Sequence, residues 1–460
     1  MKPFLLALLV AGLPLGGLAS APNVLFIVVD DLNVDIASYG HPLVQTPHLD
    51  RLRARSLQFN RAYCQYPLCN PSRNSFLSGL YPGTSGNLNN ADSLRELLPD
   101  LVTLPQLFKE NGYRAISTGK VFHQRDPQSW TQISDLYTGD LLPMDREPRF
   151  YQQGQEKRTR GPGAMLGDDT VPWFQWRSVT EGEEFLKDFQ IARATIRRAD
   201  ELAADGVPFF LAVGFARPHD PFFAPKRFFD LYPLDSLQLP QTPGDASTVP
   251  DYAFYHVFQK AFQNMTHEEK LRAMQAYYAG TSYMDEQLGR VLDHMEAKGL
   301  LKNTHIVFFG DHGFQVGEKD YWNKAVLFER SCRAPLLISS PGMAQAGQST
   351  DRIVEFIDLY PTLAELCGLE PPDHLEGLSL VPLLQDPNAP RREIAYSYCN
   401  GDRSVRDPRY RYTLWKRGSE ALYDHQHDPE EHYNLADNPE YAAVLTRLRG
   451  LVANMPEPPK

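Results

Sequence analysis

The chain predicts an α/β protein: a large, mostly parallel or mixed sheet sandwiched by helices, followed by a smaller C-terminal α+β subdomain with an antiparallel sheet. Three observations predict it. Short, uninterrupted apolar runs recur, and each stops on polar residues, as strands buried on both faces do. Between them lie longer segments with apolar spacing near 3.6, the mark of amphipathic helices. Near residue 385 the pattern changes to short strands followed by one helix.

The first strand is read at 23–29, NVLFIVV, ending on Asp30-Asp31. A second, 114–118, precedes Gly119-Lys120; a third, PFFLAVGF at 208–215, precedes Arg217-Pro218-His219; a fourth, HIVFF at 305–309, precedes Gly310-Asp311-His312-Gly313. Ligands of open α/β sheets bind beyond the carboxyl ends of strands, so each run delivers chemically capable residues to that edge. Helical spacing marks 47–59, 104–111, 183–202, 268–298 and 356–367. Residues 125–180 and 220–260 are Pro- and Gly-rich with weak periodicity, and are expected to be long insertions over the strand ends. After the linker-like Asp386-Pro387-Asn388-Ala389-Pro390 come short strands at 394–398, 409–415 and 421–423 and a helix at 439–453, with Arg409-Tyr410-Arg411-Tyr412 expected on an exposed strand face. The expected division is a signal peptide at 1–21, a catalytic domain at 22–385 and the small subdomain at 386–460.

The 460 residues hold 46 basic and 57 acidic side chains, a net charge of -11. Such a protein is a poor non-specific binder of nucleic acid, and an anionic substrate would need a local basic pocket. Lys2, the apolar run 4–18 broken by Gly12, Pro14, Gly16 and Gly17, and the small residues Ala19 and Ala21 read as a cleaved signal peptide. The expected location is secreted or periplasmic (lysosomal in a eukaryote), with no membrane span after cleavage. The five cysteines make no metal-type pair spacing. Cys367 reads as a core residue, and pairing among Cys64, Cys332, Cys367 and Cys399 stays open.

The chemistry concentrates at Cys69-Asn70-Pro71-Ser72-Arg73. Pro71 suits the first turn of a helix, which puts Cys69 at a helix N-terminus, where backbone N–H groups and the dipole favour anions. Alone, this is also what a buried cysteine before an ordinary helix looks like. Asp30, Asp31, Asp311 and His312 sit at two strand ends. Three carboxylates together repel and call for a cation; oxygen ligation suits calcium or magnesium, and the imidazole makes the set less purely calcium-like. Lys120, His123, His219 and Lys324 are candidates for binding anionic oxygens or moving protons. Lys120 and His123, three apart, are expected to share one side of a helical turn.

With CNPSR at 69–73 continuing as NSFLSGLYP, the chain resembles the type I, formylglycine-dependent sulfatases of the alkaline phosphatase superfamily. NVLFIVVDDLN, FKENGYRAISTGKVFH, FFLAVGFARPHDPF, SYMDEQLGRVL, DHGFQVGEKDYWNK and RYRYTLW extend the likeness over nearly the whole mature chain, closest to the iduronate 2-sulfatase group. The resemblance implies an alkaline phosphatase-like fold and a maturase that oxidises Cys69 to formylglycine. It implies a cation, calcium rather than magnesium, held by Asp30, Asp31, Asp311, His312 and the side chain at Cys69. Arg73 and Lys120 would stabilise the formylglycine hydrate, His123 would take its proton, and His219 and Lys324 would bind sulfate oxygens, with His219 protonating the leaving alcohol. The implied substrate is a sulfated saccharide, cut by exo action, with Trp322, and after it Asn87, Asp220 and Phe314, as candidate sugar contacts. A phosphonate or phosphate monoester hydrolase, an arylsulfatase or choline-sulfatase-type enzyme, and a non-catalytic glycan-binding relative are the alternatives.

Overall fold

A computed structural model describes residues 21–134, 158–167, 171–254 and 256–457. The expected signal segment, apart from its last residue, lies outside them. Eight strands form the main sheet in the order Ser349–Glu355, Leu57–Tyr63, Leu336–Ser339, Thr304–Gly310, Asn23–Val29, Phe209–Phe215, Arg114–Gly119, Gln132–Ser134. Leu336–Ser339 alone runs antiparallel to its neighbours, so the sheet is mixed but mostly parallel. Asn23–Val29 lies near the middle, and Val24 to Val29 have no exposed surface. That is why its run is apolar on both faces rather than alternating.

Both faces are covered. Val24, Phe26 and Val28 pack with Phe76, Leu77, Leu104, Phe108, Leu359 and Leu363, from the helices Cys69–Ser78, Leu104–Glu110 and Leu359–Leu366. Leu25, Ile27 and Val29 pack with Ile191, Leu202, Met284, Leu288 and Val291, from the helices Lys187–Asp205 and His267–Ala297. Register then sets the site. Val29 is level with both Phe215 and Gly310, and Gly214 with Gly119, so the chain leaves four adjacent strands at one height. The close approach depends on glycine: a Cβ on Gly214 would lie 1.9 Å from the Lys120 carbonyl oxygen.

Several expectations need correction. The segment 47–59 is not one helix: the helix Pro47–Arg53 ends and the strand Leu57–Tyr63 begins, because partners Leu336–Ser339 and Ser349–Glu355 extend it. The two insertions are not merely loops. Gln132–Ser134 adds the outermost strand, and Gly163–Met165, Gln175–Val179 and Phe222–Pro225 build a three-stranded sheet. Lys120 to His123 form bends, not a helical turn. The C-terminal strands Ala395–Cys399, Asp402–Arg406, Tyr410–Leu414 and Glu420–Asp424 form an antiparallel sheet, with Leu445, Leu448 and Val452 of the helix Ala442–Ala453 in the same core cluster as Tyr412 and Leu422. Arg411 is buried in it rather than exposed: its guanidinium donates to Glu329 at 2.6 Å and lies 2.8 Å from Glu431. No described helix is long and apolar enough to cross a membrane.

Candidate active site

Cys69 opens the helix Cys69–Ser78, and all ten residues of that helix are buried. Leu68, before it, is extended and offers no side-chain cap, which leaves the first-turn N–H groups to a ligand or to nearby acceptors. Asn70 anchors the approach, its side-chain amide donating to the carbonyls of Asn89 and Asp92 at 2.8 Å each. Arg73, one turn on, has no exposed surface. Its Nε donates to Asp311 at 2.9 Å, its Nη2 to Asp30 at 3.0 Å, and its Nη1 to the carbonyls of Lys120 and, at 2.9 Å, Val121. One guanidinium thus ties three strand ends together.

Lys120 Nζ donates to both oxygens of Asp30, at 2.9 and 2.7 Å. Lys324 Nζ donates to Asp31 and to Cys69 Sγ, the latter at 3.3 Å. His219 Nε2 lies 3.8 Å from Asp31, and its Nδ1 is 2.9 Å from Asp220. His123 and His219 also face Cys69, a His219 nitrogen lying within 4.8 Å of its Sγ. Burial pushes the Cys69 thiol up, but Lys120, Lys324 and the two imidazoles outweigh it and hold the thiol well below its ordinary range. A group at position 69 is therefore favoured in its anionic form.

The carboxylates are crowded. Oxygens of Asp30, Asp31 and Asp311 lie within 4.8 Å of one another, as do donor atoms of Asp31, Cys69 and His312. Burial raises the Asp31 carboxyl and pushes Asp311 up to about 6, against the pull of neighbouring cations. Asp31 Oδ2 and His312 Nε2 are buried without a hydrogen-bond partner. His312 Nδ1 lies 2.8 Å from the Gly313 carbonyl, which marks Nδ1 as the protonated nitrogen and leaves the Nε2 lone pair free. Buried acids short of positive charge, an orphaned carboxylate oxygen and an orphaned imidazole lone pair are what a divalent cation satisfies, so the residues fit one. Asp31 itself has φ 62°, a left-handed conformation kept by its N–H bond to Asp311 at 3.0 Å.

The fold brings together Asp30, Asp31, Cys69, Arg73, Lys120, His123, His219, Asp311, His312 and Lys324. It treats the candidate sugar contacts differently. Trp322 is 2% exposed inside an aromatic-rich cluster. Phe314 stacks on Tyr277 with ring centroids 5.3 Å apart. Asn87 is buried, bonding Asn70 at 3.3 Å; Asp220 stays beside His219. Two supporting residues escaped the sequence reading. Tyr277 donates to the Asp31 carbonyl at 2.7 Å and accepts from the Asn33 N–H at 2.9 Å. Asp188, fully buried, accepts the N–H groups of Ala216 and Arg217 at 2.7 and 2.9 Å, holding the segment that carries His219. An acid in the first turn of a helix was the only signal for Asp188, and it is a common one.

A buried, anion-favouring nucleophile at a helix N-terminus, ringed by cations at the strand ends of this alkaline phosphatase-like sheet, defines a hydrolase of anionic esters. The chain belongs to the sulfatase family: residues 22–369 match the family model described as sulfatase, and residues 317–457 match one described as N-sulphoglucosamine sulphohydrolase, C-terminal. It is a sulfuric ester hydrolase. A sulfatase of Formosa agariphila is 34% identical, covering 94% of this chain and 86% of its own. Human iduronate 2-sulfatase is 31% identical, covering 86% and 85%. Among solved structures, a phosphonate monoester hydrolase from Silicibacter pomeroyi superposes with a TM-score of 0.76 at 22% identity, covering 95% and 96%. A 2-O GAG sulfatase superposes with 0.72 at 22%, covering 95% and 92%.

Proposed function

We propose that the protein is an exported, exo-acting saccharide sulfatase of iduronate 2-sulfatase-like specificity, working through Cys69. The observation that carries the reading is the Cys69 side chain itself, hydrogen-bonded by Lys324 and faced by His123 and His219 beside three buried carboxylates. The proposed division keeps 1–21 as a signal peptide, 22–385 as the catalytic domain and 386–460 as the small subdomain.

Asp30, Asp31, Asp311 and His312, with the side chain at Cys69, would hold the cation, and the predominance of carboxylate oxygens favours calcium over magnesium. When bound, it lowers the pKa of a hydroxyl at position 69 and offsets negative charge during transfer. Oxidised by a maturase to formylglycine and hydrated, position 69 presents two hydroxyls on one carbon, one to attack sulfur and one to drive out sulfate. The chain's own groups do the rest. Arg73 and Lys120 fix Asp30 and Asp311 and would stabilise the formylglycine hydrate. Lys324 binds non-bridging sulfate oxygens, which would otherwise face Asp31. His219, oriented by Asp220, delivers a proton to the leaving oxygen. His123, whose basicity is lowered first by burial and then by Lys120 despite the nearby Cys69, is set to take the second hydroxyl's proton.

The substrate class is supported by the mouse and human iduronate 2-sulfatases at 30% and 31% identity. A phosphonate or phosphate monoester hydrolase is the second reading, because the phosphonate monoester hydrolase of Silicibacter pomeroyi shares this fold. Ion chromatography of the anion released from 2-O-sulfated uronate disaccharides, other sulfated sugars, an aryl sulfate, choline sulfate and matched phosphate esters tests both. Sulfate from the 2-O-sulfated uronates is expected. Sulfate from other esters alone would discard the iduronate-like specificity, and phosphate without sulfate would discard the reading.

A further inference from the structure

A cavity of about 730 Å³ lies where the small C-terminal sheet meets the edge of the main sheet, lined by none of the residues that ring Cys69. Its size is that of a ligand pocket, and junctions between structural units are where such pockets concentrate. Five arginines line it, Arg61, Arg330, Arg333, Arg406 and Arg409, against three acids, Glu329, Asp351 and Glu430. In a chain of net charge -11 such a gathering of guanidinium groups is local.

Three of the arginines are committed: Arg330 to Asp35 and Glu318, Arg406 to Glu329, Arg409 to Asp424. Among the described residues, Arg61 and Arg333 form no ion pair; Arg61 donates only to the Pro408 carbonyl, at 3.0 Å. Three lining residues also hold a buried polar atom without a partner: Ser38 Oγ, Gln58 Oε1 and Arg333 Nε. Gln58 is 4% exposed. Its amide nitrogen donates to Asn60 at 2.9 Å, and Asn60 donates to Asp351 at 2.8 Å, so the orphan is its acceptor oxygen. Glu431, next to the wall residue Glu430, has φ 59°, a local strain of the kind found where a loop is held for binding.

We infer that this cavity binds an acidic sugar unit, bearing sulfate or carboxylate, at a site separate from Cys69. The guanidinium forks of Arg61 and Arg333 match an oxyanion, while Gln58 and Asp351 accept from sugar hydroxyls. A bare inorganic anion supplies no such donors and fills little of the volume. The saccharide nature of the ligand rests on the function proposed above; the site rests on the cavity.

The test is calorimetric titration of the full-length Cys69→Ala protein, which cannot turn over, with an unsaturated 2-O-sulfated uronate disaccharide. One binding event is expected to weaken at least about tenfold, the worth of one charge-assisted hydrogen bond, in both Arg61→Glu and Arg333→Gln, and to persist in Lys324→Ala. No event at all, or every event surviving both cavity variants, overturns the inference. If Arg333→Gln loses its near-ultraviolet dichroism, Arg61→Glu alone decides. Inorganic sulfate binding the same site with comparable affinity overturns the saccharide assignment. Sulfate release by the wild-type enzyme, assayed separately on the same disaccharide, distinguishes failure of the cavity from failure of the substrate reading.

Discussion

Replacing Arg73 with methionine keeps an unbranched apolar stem but removes the guanidinium and its charge, and the structure sets the cost. The guanidinium is fully buried and donates to two carboxylates and two carbonyls. Breaking a buried ion pair by deleting one partner costs about 3–5 kcal/mol, and each stranded carbonyl adds roughly 1 kcal/mol. The sum, about 5–7 kcal/mol, is a large share of a typical folding free energy of roughly 5–15 kcal/mol. The same carboxylates, Asp30 and Asp311, belong to the set that fits a cation. Calcium bound to the folded state alone stabilises it by mass action, so the loss is expected to be smaller in saturating calcium than in chelator. Urea unfolding of wild-type and Arg73→Met protein under both conditions measures it, with the shift in midpoint converted through the slope. A loss below about 1 kcal/mol in chelator, or one independent of calcium, would refute the claim that Arg73 and a cation neutralise one buried carboxylate cluster.

Asp188→Ala strands two buried N–H groups, at about 1–3 kcal/mol each, and frees the His219 segment; kcat/KM is expected to fall at least about tenfold, with partial rescue in Asp188→Asn, measured by steady-state kinetics. Asp285 caps the helix Pro47–Arg53 by accepting the His48 and Leu49 N–H groups at 3.0 and 2.7 Å, and burial pushes its carboxyl up to about 7. The folded state then holds the proton more tightly than the unfolded chain, so this contribution to stability is full below the ordinary value of 3.8 and fades as pH rises through about 7. Asp285→Asn is expected to flatten that slope in thermal melts taken across the range. Chelation of the wild-type protein is expected to lower its melting temperature and abolish turnover, with calcium restoring both.

Much of the site was legible because its strands are buried on both faces. NVLFIVV and HIVFF have no polar alternation to confuse them, and a polar residue directly after such a run is conspicuous. That Asp30, Lys120, His219 and Asp311 meet was an inference from strand ends; the parallel register makes it so. The strand Leu57–Tyr63 was hidden because Gln58, Asn60 and Arg61 interrupt it, and its partners lie nearly 300 residues away. Arg411 was misread for a related reason. Alternation along a strand separates two faces but does not say which is wet, and the acids that bury it come from residues 329 and 431. Phe314 and Trp322, next to the chemistry in sequence, fill core space instead, since a large aromatic is stabilised more by packing than by waiting for a sugar. The spacing of Lys120 and His123 suggested a helical turn; bends place both near Cys69 without one.

Turnover by this mechanism runs through an oxidised Cys69. The direct measurement is peptide mass analysis of residue 69 in preparations made with and without a formylglycine maturase, read against sulfate released per chain from a single sulfate ester. Turnover is expected to scale with the fraction of residue 69 carrying the formylglycine mass and to vanish in Cys69→Ala, whose fold stays intact. Full turnover from chains whose Cys69 is still a thiol would contradict it.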